Sequence, residues 1–280
     1  MKNKLKNTFK KINSIKELKI GLILLTFLII VAIFAPIIAT KDPTILNEEL
    51  LAKPSAQYLF GTDGLGKDVF SMVIYGARTS LRIGVTVAFI SFVIGTLVGG
   101  ISGYIGGKTD KIISEILNMF MMLPTFFLIL IIVAIYGSNL NNMILVMALT
   151  SWTGTARLMR GQAISLKERV FVKSAKVIGE SNIRILFKHI IPNGIFPVIA
   201  DSTMAISSAI LSEAGLSFLG LGDPNVISWG KIIAQGKVYL PSSWWICTFP
   251  GVAIVITVIS FYLIGEGINS MLNPKLDNLD

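Results

Sequence analysis

The stretch ERVFVKSAKVIGESNIRILFKHIIPN, Glu168 to Asn193, is a polar island between two apolar runs. Phe171, Ala175 and Ile178 fall at i, i+4 and i+7, so they share one helical face, with Lys173, Lys176 and Glu180 lying away from it. Gly179 ends this short helix, and Ser181 is placed to cap a second one running towards Pro192. Two short helices with an apolar stripe, held at a membrane surface, suit a socket in a soluble partner. A basic interfacial segment fixed by lipid headgroups fits the same pattern. The spacing alone leaves both readings open.

The membrane enters through composition. Of the 280 residues, 53% are hydrophobic and 15% charged, with a mean hydropathy of +0.73. A soluble domain carries about 25% charge, so this chain belongs in a bilayer as one polytopic domain. The net charge of +9 invites a nucleic-acid reading. The positive residues cluster at span ends, as membrane orientation requires, and this excludes it. Cys247 is the single cysteine and can make no intrachain disulfide; with one histidine beside it, no zinc site can be built from these residue types.

Working outward from Glu168–Asn193, six apolar runs are predicted to cross the membrane: Ile20–Thr40, Ile83–Tyr104, Ile112–Tyr136, Asn142–Met159, Ile190–Leu211 and Trp244–Ile264. The run from Ile20 is too long for a signal peptide and lacks a small-residue cleavage site, so it is expected to be retained. Pro124 is expected to kink the third span. Six spans put both termini on one side. Placing that side in the cytoplasm assigns it 18 of the 25 Lys and Arg, which favours both ends inside. The organisation is then a basic N-terminus (1–19), a first span (20–40), an extracytoplasmic segment (41–82), a five-span core (83–265) with a cytoplasmic loop at 165–192, and a cytoplasmic tail (266–280). Two external segments, 41–80 and 217–243, are long enough to hold short surface helices, one of them over Gly230–Leu240. Trp244 and Trp245 are expected to anchor the last span at the outer interface.

Several motifs that carry chemistry in other proteins also admit plainer roles. Gly61–Asp68 (GTDGLGKD) nearly matches a phosphate-binding loop, but Asp68 replaces the magnesium-binding hydroxyl and would repel phosphates. A Gly-rich turn leading into an interfacial helix is the better reading, so no cofactor is expected. Gly95, Gly99, Gly103 and Gly107 recur every four residues, which allows close helix approach within the bundle or between chains. Asp201, mid-span, either faces a polar path or a partner, or is a carboxyl satisfied by Ser202, Thr203 or a neighbouring helix. Glu213 is a candidate for a gate or for a structural role. No catalytic constellation such as H-E-x-x-H or G-x-S-x-G occurs.

The segment from Glu168 resembles the EAA loop of ABC-importer permeases, E-A-A-x3-G-x9-I-x-L-P. Lys173-Ser174-Ala175 stands at the E-A-A position, Gly179 follows after three residues, and His189-Ile190-Ile191-Pro192 closes the pattern. Lys173 replaces the Glu, Ser174 the first Ala and His189 the Ile. FGTDGLGKDVFSMVIYGARTSL (Phe60–Leu81), WTGTARLMRGQ (Trp152–Gln162), SEAGLSFLGLGDP (Ser212–Pro224) and NPKL (Asn273–Leu276) are similar to the C-type permease subunit of dipeptide, oligopeptide and nickel importers.

That resemblance implies an all-α integral membrane bundle of six helices. It also implies partners: a sibling permease forming a heterodimer, two cytoplasmic ATPase subunits, and an external solute-binding protein. ATP hydrolysis belongs to the separate subunits, and Phe171, Lys173, Ser174, Ala175, Ile178, Gly179, His189 and Pro192 are the coupling residues. Peptide is the expected cargo and nickel or another metal chelate the alternative; a structural assembly protein is the reading without transport.

Overall fold

The computed structural model describes residues 15–272. The basic N-terminal segment before residue 15, and the tail that carries NPKL, lie outside the described residues. Helix α1 (Lys16–Ile33) runs into a one-turn α2 (Ala35–Ile38) that has Pro36 in its first turn, where a missing N–H costs nothing. An irregular segment then leads to α3 (Val69–Ile105). The loop GTDGLGKD is a folded turn. Asp63 Oδ1 accepts from the N–H groups of Leu65 and Lys67 at 2.9 and 2.8 Å, and Asp68 Oδ2 caps α3 by accepting from Ser71 N–H at 2.8 Å. Asp63 Oδ1 and Asp68 Oδ2 are thus occupied with backbone, while Asp68 Oδ1 is buried with no partner among the described residues.

Helix α3 starts at Val69, well before the expected span start at Ile83, so residues 69–82 are its first turns and not a separate surface helix. Gly76 does not break it, because Trp229 packs there: a Cβ at position 76 would stand 3.0 Å from the indole Cδ1. The run expected as one kinked span after α3 is two helices, α4 (Gly107–Met122) and α5 (Thr125–Tyr136), bent by 81°. The proline ring disfavours a helical conformation in the residue before it, and Leu123 is extended at φ −87°, ψ 131°.

Helix α6 (Leu140–Lys167) follows, then the short α7 (Val170–Val177) and α8 (Asn182–Ile185), and a π-turn (Leu186–Ile190) that leads into α9 (Ile191–Phe218). Beyond it lie α10 (Trp229–Gly236), a 3₁₀ turn (Lys237–Tyr239) and α11 (Trp245–Leu272). The expected short helix near Gly230–Leu240 is therefore present.

Among the described residues, three helical runs are long and apolar enough to cross a membrane: Val69–Ile105, Asn182–Phe218 and Trp245–Met271; the bent pair α4–α5 makes a fourth if it is one span. Helix α1 is only 18 residues long and carries Lys16, Glu17 and Lys19. Helix α6 is polar through its second half, with Thr150, Thr153, Thr155, Arg157 and Arg160. It packs against α3, α5 and α9. Its other face is exposed, at Leu145, Leu149, Gly154 and Arg157.

The α3–α6 contact is the most extensive in the chain. It rests on three of the four periodic glycines. A Cβ at Gly95 would stand 2.6 Å from Thr155 Cβ, and Cβ atoms at Gly99 and Gly103 would collide with the carbonyl oxygens of Ala156 and Arg160. Backbone meets backbone, which only glycine permits. Gly107 is outside this ridge: it begins α4 with open space around it. At the end of the bundle away from residues 168–193, Trp229 and Trp245 are core residues, 1% and 2% exposed. Their indole N–H groups donate to Val73 O at 2.9 Å and Thr62 O at 3.1 Å. Of the expected tryptophan pair, only Trp244 is exposed. Trp245 is buried by packing in the core, and its indole N–H finds an acceptor there in Thr62 O.

Candidate functional site

Residues 168–193 fold as two short helical pieces across the end of α6 and α9. Helix α7 closes with a Schellman motif: Gly179 N–H donates to Lys176 O at 3.1 Å and Glu180 N–H to Ala175 O at 3.0 Å. Gly179 sits at φ +85°, and a Cβ there would meet nothing within 4 Å. Its requirement is therefore one of backbone conformation alone. The Ser181 hydroxyl caps α8 by accepting from Arg184 N–H at 3.4 Å.

One face of this segment is buried. Val172 and Ala175 pack with Ile185, Leu186 and Ile190 against Tyr104, Met159 and Ala163. The other face is an uncovered apolar surface: Val170, Phe171, Val177 and Ile178 on α7, continued by Ile183 and Phe187. On α7 this outer face, with the exposed Ser174, falls at i, i+1, i+4, i+7 and i+8 from Val170. The stripe read from sequence thus needs one correction. Phe171 and Ile178 lie on the outer face, but Ala175 is 5% exposed and points into the chain. A residue four after Phe171 is close to the boundary between faces, and the small Ala175 side chain fits the tight approach of α7 to the bundle.

The polar residues hold the segment in place. Glu180 accepts from His189 Nε2 at 2.8 Å and pairs with Lys188 at 3.3 Å. The bond from His189, helped by Lys188, holds the Glu180 carboxyl below the usual carboxylate range against some desolvation. Tyr104 Oη donates to Asn182 Oδ1 at 3.0 Å, which ties α8 to α3. Lys173 pairs with Glu168 at 3.1 Å, but both side chains are more than half exposed, so the pair contributes little. Pro192 lies in the first turn of α9, where Asn193 Nδ2 donates back to His189 O at 2.6 Å. Just below, Arg160 of α6 grips Asp110 of α4 with two bonds of 2.6 and 2.7 Å, and Ser102 of α3 donates to the same carboxylate at 2.6 Å. Glu180 and Asp110 were not legible as site residues from sequence, since their partners lie 9 and 50 residues away.

The two carboxyls of α9 are separate from this surface and from each other. Asp201 is exposed on the flank of α9, its carboxyl against Thr155 of α6. Ser202 and Thr203 do not serve it, because both donate backwards to the carbonyls of Val198 and Ala200. Asn193 and Ser208 are exposed on the same helix. Glu213, near the opposite end, is 3% exposed and bonded to Ser217 and Ser228.

Residues 94–278 match the family described as binding-protein-dependent transport system inner membrane component. The chain is 37% identical over 273 residues to the dipeptide transport system permease protein DppC of Alkalihalophilus pseudofirmus, covering 97% of this chain and 90% of that one. It is 36% identical over 273 residues to the oligopeptide transport system permease protein OppC of Bacillus subtilis, covering 97% and 90%. To the di/tripeptide transport system permease protein DppC of Pseudomonas aeruginosa it is 35% identical over 266 residues, covering 92% and 88%. Among solved structures, a chain of the inward-facing MetNI methionine ABC transporter superposes with a TM-score of 0.59 at 19% identity, over 73% of this chain and 97% of that one. With a helical bundle of matching fold and relatives aligned over nearly its whole length, this chain belongs to the inner membrane components of binding-protein-dependent transport systems, as a multi-pass membrane permease subunit.

Proposed function

We propose that this chain is a permease subunit of an ATP-driven importer of di- or oligopeptides, which forms part of the translocation path and docks ATPase subunits through residues 165–192. The observation that carries the docking is the uncovered apolar face of α7 and α8, backed by a buried face and fixed by the Gly179 turn and the Glu180–His189 bond. Six spans with both termini inside, a sibling permease, two ATPase subunits and an external solute-binding protein complete this reading. Helices α1 and α6 supply the spans that length and composition alone do not. The peptide names of the three relatives support peptide cargo and set the nickel reading behind it.

The exposed side of α9 carries Asn193, Asp201 and Ser208 beside Phe196 and Leu211, and the carboxylate at its middle is poorly suited to lipid. It suits a water-filled path or a sibling subunit, with Asp201 meeting cationic cargo groups. Reconstitution of the assembled complex in proteoliposomes tests both points. Peptide-loaded binding protein is expected to stimulate ATP hydrolysis and drive peptide uptake, and nickel is not. Asp201→Asn is expected to lower uptake of lysine-containing peptides more than of neutral ones, because the amide keeps size and hydrogen bonding but loses charge. Equal loss for both removes Asp201 from the path.

A further inference from the structure

Glu213 is built into a joint between three helices. Its Oε1 accepts two hydroxyl bonds of 2.7 Å, one from Ser217 on α9 itself and one from Ser228. Ser228 is the N-cap of α10, and its hydroxyl also accepts from Lys231 N–H at 3.2 Å. The next residue, Trp229, binds α3 twice: its N–H donates to Ser80 Oγ at 3.2 Å and its indole N–H to Val73 O at 2.9 Å. Gly230 lets α10 approach α9 closely, since a Cβ there would stand 2.5 Å from Ala214 Cα and 3.1 Å from Glu213 Oε2. That second carboxyl oxygen is buried and has no partner among the described residues.

This arrangement is a poor way to gain stability. Burying a carboxyl with one oxygen unsatisfied is costly, and an apolar side chain of similar size would fill the space. A surface helix also needs no polar anchor, because Trp229 and Ile232 already bury its apolar face. What the carboxyl supplies is direction: one acceptor atom shared by α9 and the first residue of α10 fixes the angle between them.

We propose that Glu213 is a positioning residue that makes α9 and α10 a single rigid arm, so that a binding protein pressing on α10 moves α9. The inference rests on the permease reading above for the identity of that partner. The rigidity itself is a property of this chain and is measured without cargo.

The test places spin labels at Leu211 on α9 and Val238 beyond α10, both exposed, in a Cys247→Ala background. The full chain is studied in its assembled complex in nanodiscs, by pulsed electron–electron distance measurement. The unsubstituted joint is expected to give one narrow distance, unchanged between the nucleotide-free state and ATP with vanadate. Glu213→Gln keeps the acceptor oxygen and should give the same peak. Glu213→Leu should lose the single peak. Ser228→Ala removes the bond across the joint, together with the N-cap bond from Lys231 N–H, and should lose it too, while Ser217→Ala, whose bond lies within α9, should retain it. A distance that shifts with nucleotide in the unsubstituted joint overturns the proposal. So does a single narrow peak that survives in both Glu213→Leu and Ser228→Ala. Failure of peptide uptake would count against the cargo reading and leave these distances unaffected.

Discussion

Gly179→Val is expected to uncouple the complex, leaving it inserted in the membrane with binding-protein-stimulated ATP hydrolysis reduced to the basal rate. The residue sits at φ +85° with open space around the absent Cβ, so the whole effect is conformational. A β-branched residue in this region costs roughly 1–3 kcal/mol, enough to shift a local equilibrium by about 5- to 150-fold. The shift would undo the two Schellman bonds and turn Val177 and Ile178 away from Phe171, breaking the outer face. Because no neighbouring residue obstructs a side chain there, substitutions should rank by their tolerance of a left-handed backbone: Asn near the unsubstituted chain, Ala intermediate, Val worst. Stimulated ATP hydrolysis across this series checks the account, and a Val variant as active as the Asn variant would contradict it.

Gly99→Leu is expected to have the larger effect on the chain itself, preventing a stable bundle. A Cβ at position 99 already collides with the Ala156 carbonyl, so backbone would have to move. Overpacking of this kind costs about 1–3 kcal/mol and more where backbone must separate. Gly100→Ala, one residue on, should be tolerated, because its Cβ would lie 3.5 Å from Ile191 and Leu186 side chains. Gly154→Ala on α6 should be tolerated as well, since nothing lies within 4 Å. Detergent-solubilised yield and thermal unfolding of the three variants give the comparison. Equal stability of Gly99→Leu and Gly100→Ala would show that the α3–α6 contact is not as close as described.

The membrane class, the broken loop between α6 and α9, and the glycine ridge were legible in the sequence because each rests on local periodicity or composition. Gly179 was legible for the same reason: a turn residue at a fixed offset announces itself. What the sequence concealed depends on long-range geometry. Helix α3 reaches back to Val69 because Asp68 caps it and Trp229 fills the side of Gly76; the cap is a local signal, but the tryptophan is not visible locally. Pro124 was legible as a disturbance, but the 81° break depends on how α5 packs on α6. Ala175 was assigned to the outer face because spacing cannot say which side of a short amphipathic helix meets the bundle. Trp245 was read as an interface anchor, yet Thr62 and the core claim it. Glu213 was singled out as a possible gate, and its burial between α9 and α10 could not be read without knowing where Ser228 folds back.

The central claim is that the outer face of α7 is where ATPase subunits dock, and a photo-crosslink tests it most directly. A benzophenone amino acid at Ile178, 76% exposed, would be activated in intact cells and the products identified by mass spectrometry. The same probe at Val172, fully buried on the opposite face, serves as the control. The account predicts that Ile178 crosslinks to an ATPase subunit and Val172 only to residues of this chain. Crosslinks from Ile178 to lipid alone, or to an extracytoplasmic protein, would contradict it.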